Sequence, residues 1–191
     1  MKAGLSLFLE RGIEGVTIDE IVARASVAKG SFYLYFRDKA DLVQATFSPL
    51  RERIEEAFQT FDNALKEART PEALYHAYQL VGRLLGAAFF QETQVTRLYL
   101  QESRGPGIGA RKPVRELADL ISQKSIEFTR VALDQGLLRP FDPRISALTV
   151  VGAVERLLFG HLAGEDLGGT LEAAESLISL VMDGLRPPAK K

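Results

Sequence analysis

Apolar residues recur every three or four positions along almost the whole chain, and nowhere do they alternate with polar ones for the length of a strand. A chain patterned in this way buries its apolar stripes by packing helix on helix, so the expected fold class is all-α. With 191 residues, 46% of them hydrophobic, it is long enough to enclose a sizeable core. No internal repeat or low-complexity tract interrupts the pattern.

The helix boundaries are chemically marked. Leu5, Phe8 and Leu9 form a short stripe that stops at Gly12, and Gly15 adds a second break. Thr17 then reads as an N-cap, with Glu20 three residues later completing a capping box and Ile18, Ile21, Val22 and Ala25 facing inward. A turn over Ala25–Ala28 leads into a third helix that holds Phe32, Tyr33, Tyr35 and Phe36, and Asp38 caps a fourth starting near Lys39. Longer helices are expected at about 39–68, 71–91, 93–103, 113–136, 143–163 and 170–185. Thr70 with Pro71, and Asp142 with Pro143, mark two of their starts, and Gly136 ends one. Pro49 predicts a kink or a boundary near Ser48. Arg104–Pro113 and Gly164–Gly169 read as loops, and Pro187–Lys191 as a frayed tail.

Two short helices joined by a tight turn, the second rich in small polar and aromatic residues, meet the needs of docking in a DNA major groove. The formal net charge is only −1, yet the stretch Lys29–Lys39 carries Lys29, Arg37 and Lys39 against Asp38 alone. With Val27, Phe32 and Phe36 turned to the core, Lys29, Ser31, Tyr33 and Tyr35 remain on the outer face, and Gly30 lets the backbone approach closely. Thr17 and Lys39, at helix starts, are placed to meet phosphates. The expected DNA-binding set is therefore Thr17, Lys29, Gly30, Ser31, Tyr33, Tyr35 and Lys39.

The ordered, ungapped run Leu7, Phe8, Gly12, Thr17, Ile18, Ile21, Ala25, Val27, Lys29, Gly30, Tyr33, Tyr35, Phe36, Lys39 and Leu42 resembles the TetR family of bacterial regulators. The resemblance implies a helix-turn-helix DNA-binding domain over residues 1–46 and a helical ligand-binding and dimerisation domain over 47–191. It also implies a homodimer whose last two helices form the interface. Three departures stand out: Met1 already lies inside the first helix, Ala28 replaces a common Ser or Thr cap, and Ser26 replaces a common turn glycine. A left-handed Ser26 would cost about 1 kcal/mol.

The interface expected from this resemblance includes Ile145, Leu148, Gly152, Leu158, Leu177 and Val181, since the last two long helices carry more apolar surface than one internal contact needs. Phe89, Phe90, Tyr99 and Phe128 are candidate apolar ligand contacts, with Glu102 and His161 as polar ones. Arg104, Arg111, Lys112 and Arg115 surround the glycine-rich loop and offer a site for an acidic ligand such as a coenzyme A thioester.

Other classes find little support. With no cysteine and only His76 and His161, neither three residues after a glutamate, the chain has no thiolate site and no di-iron ligand pattern. No metalloprotease, nucleophile-elbow or phosphate-loop motif occurs, so no catalytic residue, metal or cofactor is expected. No signal peptide is legible, and the two longest apolar segments are broken by charges, which predicts a cytoplasmic protein without a membrane partner. The expected function is a ligand-responsive regulator, a repressor released from a palindromic duplex operator by a small apolar or acyl-type effector. A helical protein-interaction module and an unrecognised helical enzyme are the alternatives.

Overall fold

Every helix start that the sequence marks with a capping side chain carries that cap in the computed structural model, which describes residues 1–185. Thr17 accepts the Glu20 amide, Asp38 that of Asp41, Thr70 that of Ala73, and Asp142 those of Arg144 and Ile145. Each cap satisfies an amide that the helix itself leaves without a partner. The expected tail Pro187–Lys191 lies outside the described residues.

The helices are α1 (Lys2–Arg11), α2 (Ile18–Arg24), α3 (Lys29–Tyr33), α4 (Lys39–Glu67) and α5 (Pro71–Gln91). They continue with α6 (Thr93–Glu102), a 3-10 turn (Gly109–Arg111), α7 (Lys112–Asp134), α8 (Pro143–Leu162) and α9 (Thr170–Leu185). No strand occurs among the described residues.

Two expectations about these elements are corrected. Of the kink or boundary expected near Ser48, the boundary is absent, and α4 is continuous through Pro49. Its buried stripe, Val43, Phe47, Leu50, Ile54, Ala57, Phe61 and Leu65, keeps helical spacing on both sides of the proline, which itself lies on the exposed side. Burying each large member contributes about 1.5–3 kcal/mol, enough together to outweigh a cost of about 3 kcal/mol for an interior proline. α3 is shorter than expected and leaves Tyr35 and Phe36 outside it. There the chain leaves the helix so that Arg37 can give its amide to the Asp41 carboxylate while Asp38 caps α4.

The described chain forms two compact units. The first comprises Met1–Glu52 and Phe90–Asp119. In it α6 packs on α1, and Phe8, Ile13, Val16, Leu42, Leu98 and Tyr99 are almost wholly buried.

The second unit comprises Arg53–Phe89 and the chain from Leu120 onward. Its core holds an aromatic cluster in which the Phe128 ring meets Phe61 edge-on at 4.9 Å between centroids and Phe58 at 5.6 Å. α8 packs on α9. A Cβ on Gly82 would stand 3.1 Å from Ile178 Cδ1, so that glycine allows α5 to lie close to α9. Arg139 fastens the end of α9 by donating its amide to the Leu185 carbonyl and its Nε to that of Gly184.

Against the expectation from its charges, α8 is long and apolar enough to cross a membrane by length and composition. Much of its apolar surface is unburied: Ile145, Leu148 and Phe159 are exposed on α8, as are Leu171 and Leu180 on α9. Leu158, expected at the interface, is buried within the unit.

Candidate nucleic-acid interface

The helix-turn-helix is anchored at Thr17. Its hydroxyl accepts the Glu20 amide at 3.3 Å, and the Glu20 carboxylate accepts both the Thr17 amide and its hydroxyl proton at 2.8 Å. Arg11 Nη1 lies 2.8 Å from the same carboxylate. The Arg11 guanidinium first, then the two Thr17 donors, hold the Glu20 carboxyl down at about 2.

The turn closes through Ser26, whose φ of 55° is left-handed, the one positive φ of a non-glycine residue among those described. This lets Val27 donate its amide back to the Val22 carbonyl at 3.0 Å, ending α2. Ala25 and Val27, expected to face the core, are exposed instead, because the turn swings both outward.

α3 is pinned from beneath by Phe32, which is buried and touches the Phe36 ring at 5.4 Å between centroids. What remains outside is an apolar and phenolic row: Val27 is 47% exposed, Tyr33 52%, Leu34 80% and Tyr35 79%. Gly30 faces open space and Ser31 is half-buried. Ala28 supplies no side-chain cap. The sequence reading missed Val27 and Leu34 as surface groups; the signal for Leu34 was its place between two tyrosines at the end of a helix too short to include it.

The cations behave differently from one another. Lys29 Nζ lies 2.7 Å from Asp19 Oδ1. Arg24 makes two hydrogen bonds to Glu10, and Arg37 pairs with Asp41. Lys39, expected at a phosphate, points its ammonium inward, donating to the carbonyls of Ile13 at 2.8 Å, Val16 at 2.9 Å and Glu14 at 3.3 Å. It therefore fixes the loop between α1 and α2, into which Thr17 is set.

The same loop is held from its other side by α6. Glu102, expected to orient a ligand, is buried with both oxygens engaged: Oε1 accepts the Ile13 amide at 3.1 Å and Oε2 the Arg111 Nε at 2.6 Å. Gly12 makes this possible, since its φ is 76° and a Cβ there would sit 2.9 Å from Glu102 Oε1. The Arg111 amide in turn donates to the Glu14 carboxylate.

The glycine-rich loop does not present a free cationic site either. Arg111 and Arg115 lie across Gly105 and Gly107, where a Cβ would meet their side chains at 2.8 and 2.7 Å. Arg115 pairs with Asp119 and Lys112 with Glu116.

The ligand candidates are divided between the two units. Phe90, Tyr99 and Glu102 belong to the first unit, and Phe89, Phe128 and His161 to the second. Phe128 is spent in the aromatic cluster. A cleft of about 290 Å³ in the second unit, with Glu72, His76 and Asp183 as polar groups, is lined by none of them. No cluster of three metal-ligating side chains exists among the described residues.

Residues 1–46 match the family model described as bacterial regulatory proteins, tetR family. The chain is 27% identical over 194 residues to the HTH-type transcriptional repressor BepR of Brucella suis, covering 98% of this chain and 90% of that one. It is 26% identical over 184 residues to the uncharacterised HTH-type transcriptional regulator YhgD of Bacillus subtilis, covering 90% of each. Among solved structures, the transcriptional regulator FadR from Bacillus subtilis in complex with stearoyl-CoA shares the fold with a TM-score of 0.70, at 17% identity over 96% of both chains.

Proposed function

We propose that this chain, whose residues 1–46 match the tetR family model of bacterial regulatory proteins, is a cytoplasmic TetR-family repressor that grips an inverted-repeat operator as a homodimer and leaves it when a small apolar or acyl-type effector binds. The observation that carries this reading is the exposed row Val27, Tyr33, Leu34 and Tyr35 on and at either end of α3, which Phe32 anchors. Exposed apolar groups and phenols are costly in water and suit base edges, where thymine methyls and purine acceptors lie within reach. Lys29, Gly30 and Ser31 at the start of α3 complete the reading head, with Thr17 beside the backbone.

The exposed leucine and isoleucine side chains of α8 and α9 support the homodimer, since a second copy would cover them and would place two reading heads at one operator. A motif of this kind reads half-sites about 34–36 Å apart. The effector class is supported by the solved relative bound to stearoyl-CoA. If effector and DNA oppose each other, each must weaken the other by the same factor.

The test is selection of bound duplexes from fragmented genomic DNA at two salt concentrations, with Tyr33→Ala as control. Enrichment of an inverted repeat by the native chain, lost in the variant at unchanged melting temperature, would support the reading. A folded native dimer that enriches no site would sink it.

A further inference from the structure

The helix-turn-helix is electrically balanced. Between Thr17 and Asp41 its four cations, Arg24, Lys29, Arg37 and Lys39, are matched by Asp19, Glu20, Asp38 and Asp41. Lys39 is committed to three backbone carbonyls, Arg24 to Glu10 and Arg37 to Asp41. Lys29 is the cation that begins the reading helix, beside the open face of Gly30, and its ammonium is taken by Asp19 at 2.7 Å. Both partners stand in solvent, Lys29 54% and Asp19 69% exposed, so the pair opens easily.

We propose that Asp19 is a specificity-determining residue: it occupies Lys29 in place of a DNA phosphate, and only a duplex whose bases engage α3 draws the lysine away. This rests on the DNA-binding reading above. Binding to non-operator duplex is almost wholly phosphate neutralisation, so a carboxylate that pre-empts a cation weakens it most directly. At the operator, contacts from Tyr33, Leu34 and Tyr35 hold the backbone in one register, and exchange of Asp19 for phosphate becomes favourable. Discrimination is raised by penalising the wrong partner, with no gain in contacts to the right one.

The test uses the full chain and a labelled random-sequence duplex, titrated by fluorescence anisotropy across a series of KCl concentrations. Asp19→Asn should tighten binding about fivefold at low salt and steepen the slope of log K against log salt by about 0.9, the signature of one more neutralised phosphate. In a Lys29→Met background the same substitution should leave the slope unchanged. An unchanged slope for Asp19→Asn, or an equal steepening without Lys29, would overturn the inference while leaving DNA binding intact. If the native chain and both variants bind no duplex, the DNA-binding reading falls and this inference with it. A pair that merely braced the turn would shift the melting temperature and leave the salt slope alone.

Discussion

Glu102 on α6 accepts the backbone amide of Ile13, 89 residues earlier in the chain, at 3.1 Å. Through this bond and the Arg111 pair, the loop that leads into the helix-turn-helix is held by a segment distant in sequence. Lys39 grips that loop through its carbonyls while Glu102 grips its amide, so its six residues, Gly12 to Thr17, have few ways to move independently.

Removing Glu102 should therefore be costly. Glu102→Ala leaves the Ile13 amide and the Arg111 guanidinium without their buried acceptor, and should lower unfolding free energy by about 2–4 kcal/mol. Glu102→Gln keeps an acceptor for Ile13 and should lose roughly half as much. Urea denaturation followed by circular dichroism measures both. Equal losses would mean that the Ile13 bond contributes nothing.

Acid should loosen the capping box in a defined window. The Arg11 guanidinium and the Thr17 donors depress the Glu20 carboxyl from the ordinary 4.5 to about 2 in the folded chain. A depressed folded value gives stability that is present above about 4.5 and is lost as pH falls toward about 2. Melting temperature across that range should fall less steeply for Glu20→Gln than for the native chain. Parallel curves would refute the assignment.

Ser26→Gly should stabilise the turn. A φ of 55° is strained for serine and free for glycine, so relief of about 1 kcal/mol should outweigh the added freedom of the unfolded chain and leave a gain of up to about 0.5 kcal/mol. The gain is read as a rise in melting temperature. A fall would mean that the serine side chain contributes more than the strain it bears.

Ile145→Glu and Leu180→Glu each put a charge on an exposed apolar position. If the native chain pairs through this face as proposed, it should sediment as a dimer and both variants as folded monomers by analytical ultracentrifugation, because a carboxylate buried at such an interface would have no partner there. A native-like dimer for both variants would place the contact elsewhere.

Helix ends were legible because capping chemistry is local: Thr17, Asp38, Thr70 and Asp142 act within three residues of themselves. α4 to α9 accordingly fall within two residues of their expected bounds. The misreadings concern properties that depend on distant packing. Pro49 is tolerated because buried side chains on both sides of it hold the helix together, and local propensity cannot register them. Lys39 resembled a phosphate ligand until the fold supplied three carbonyls. Glu102 looked like a polar group available to a ligand, since nothing near it in sequence announces Ile13 or Arg111. Val27 was assigned inward for its apolar character, and the left-handed Ser26 beside it turns it outward.

The joining of Phe90–Asp119 to the unit that holds the reading head also bears on engineering. A chimera made by grafting residues 1–46 onto another regulator would carry Gly12 and Ile13 without the carboxylate they were shaped to receive. The recipient's own sixth helix would have to offer an acid at the same spot, or the graft would arrive with a loose hinge. A transplant that moves both segments together carries its own fastening, and the portable part of this molecule is therefore discontinuous in the gene.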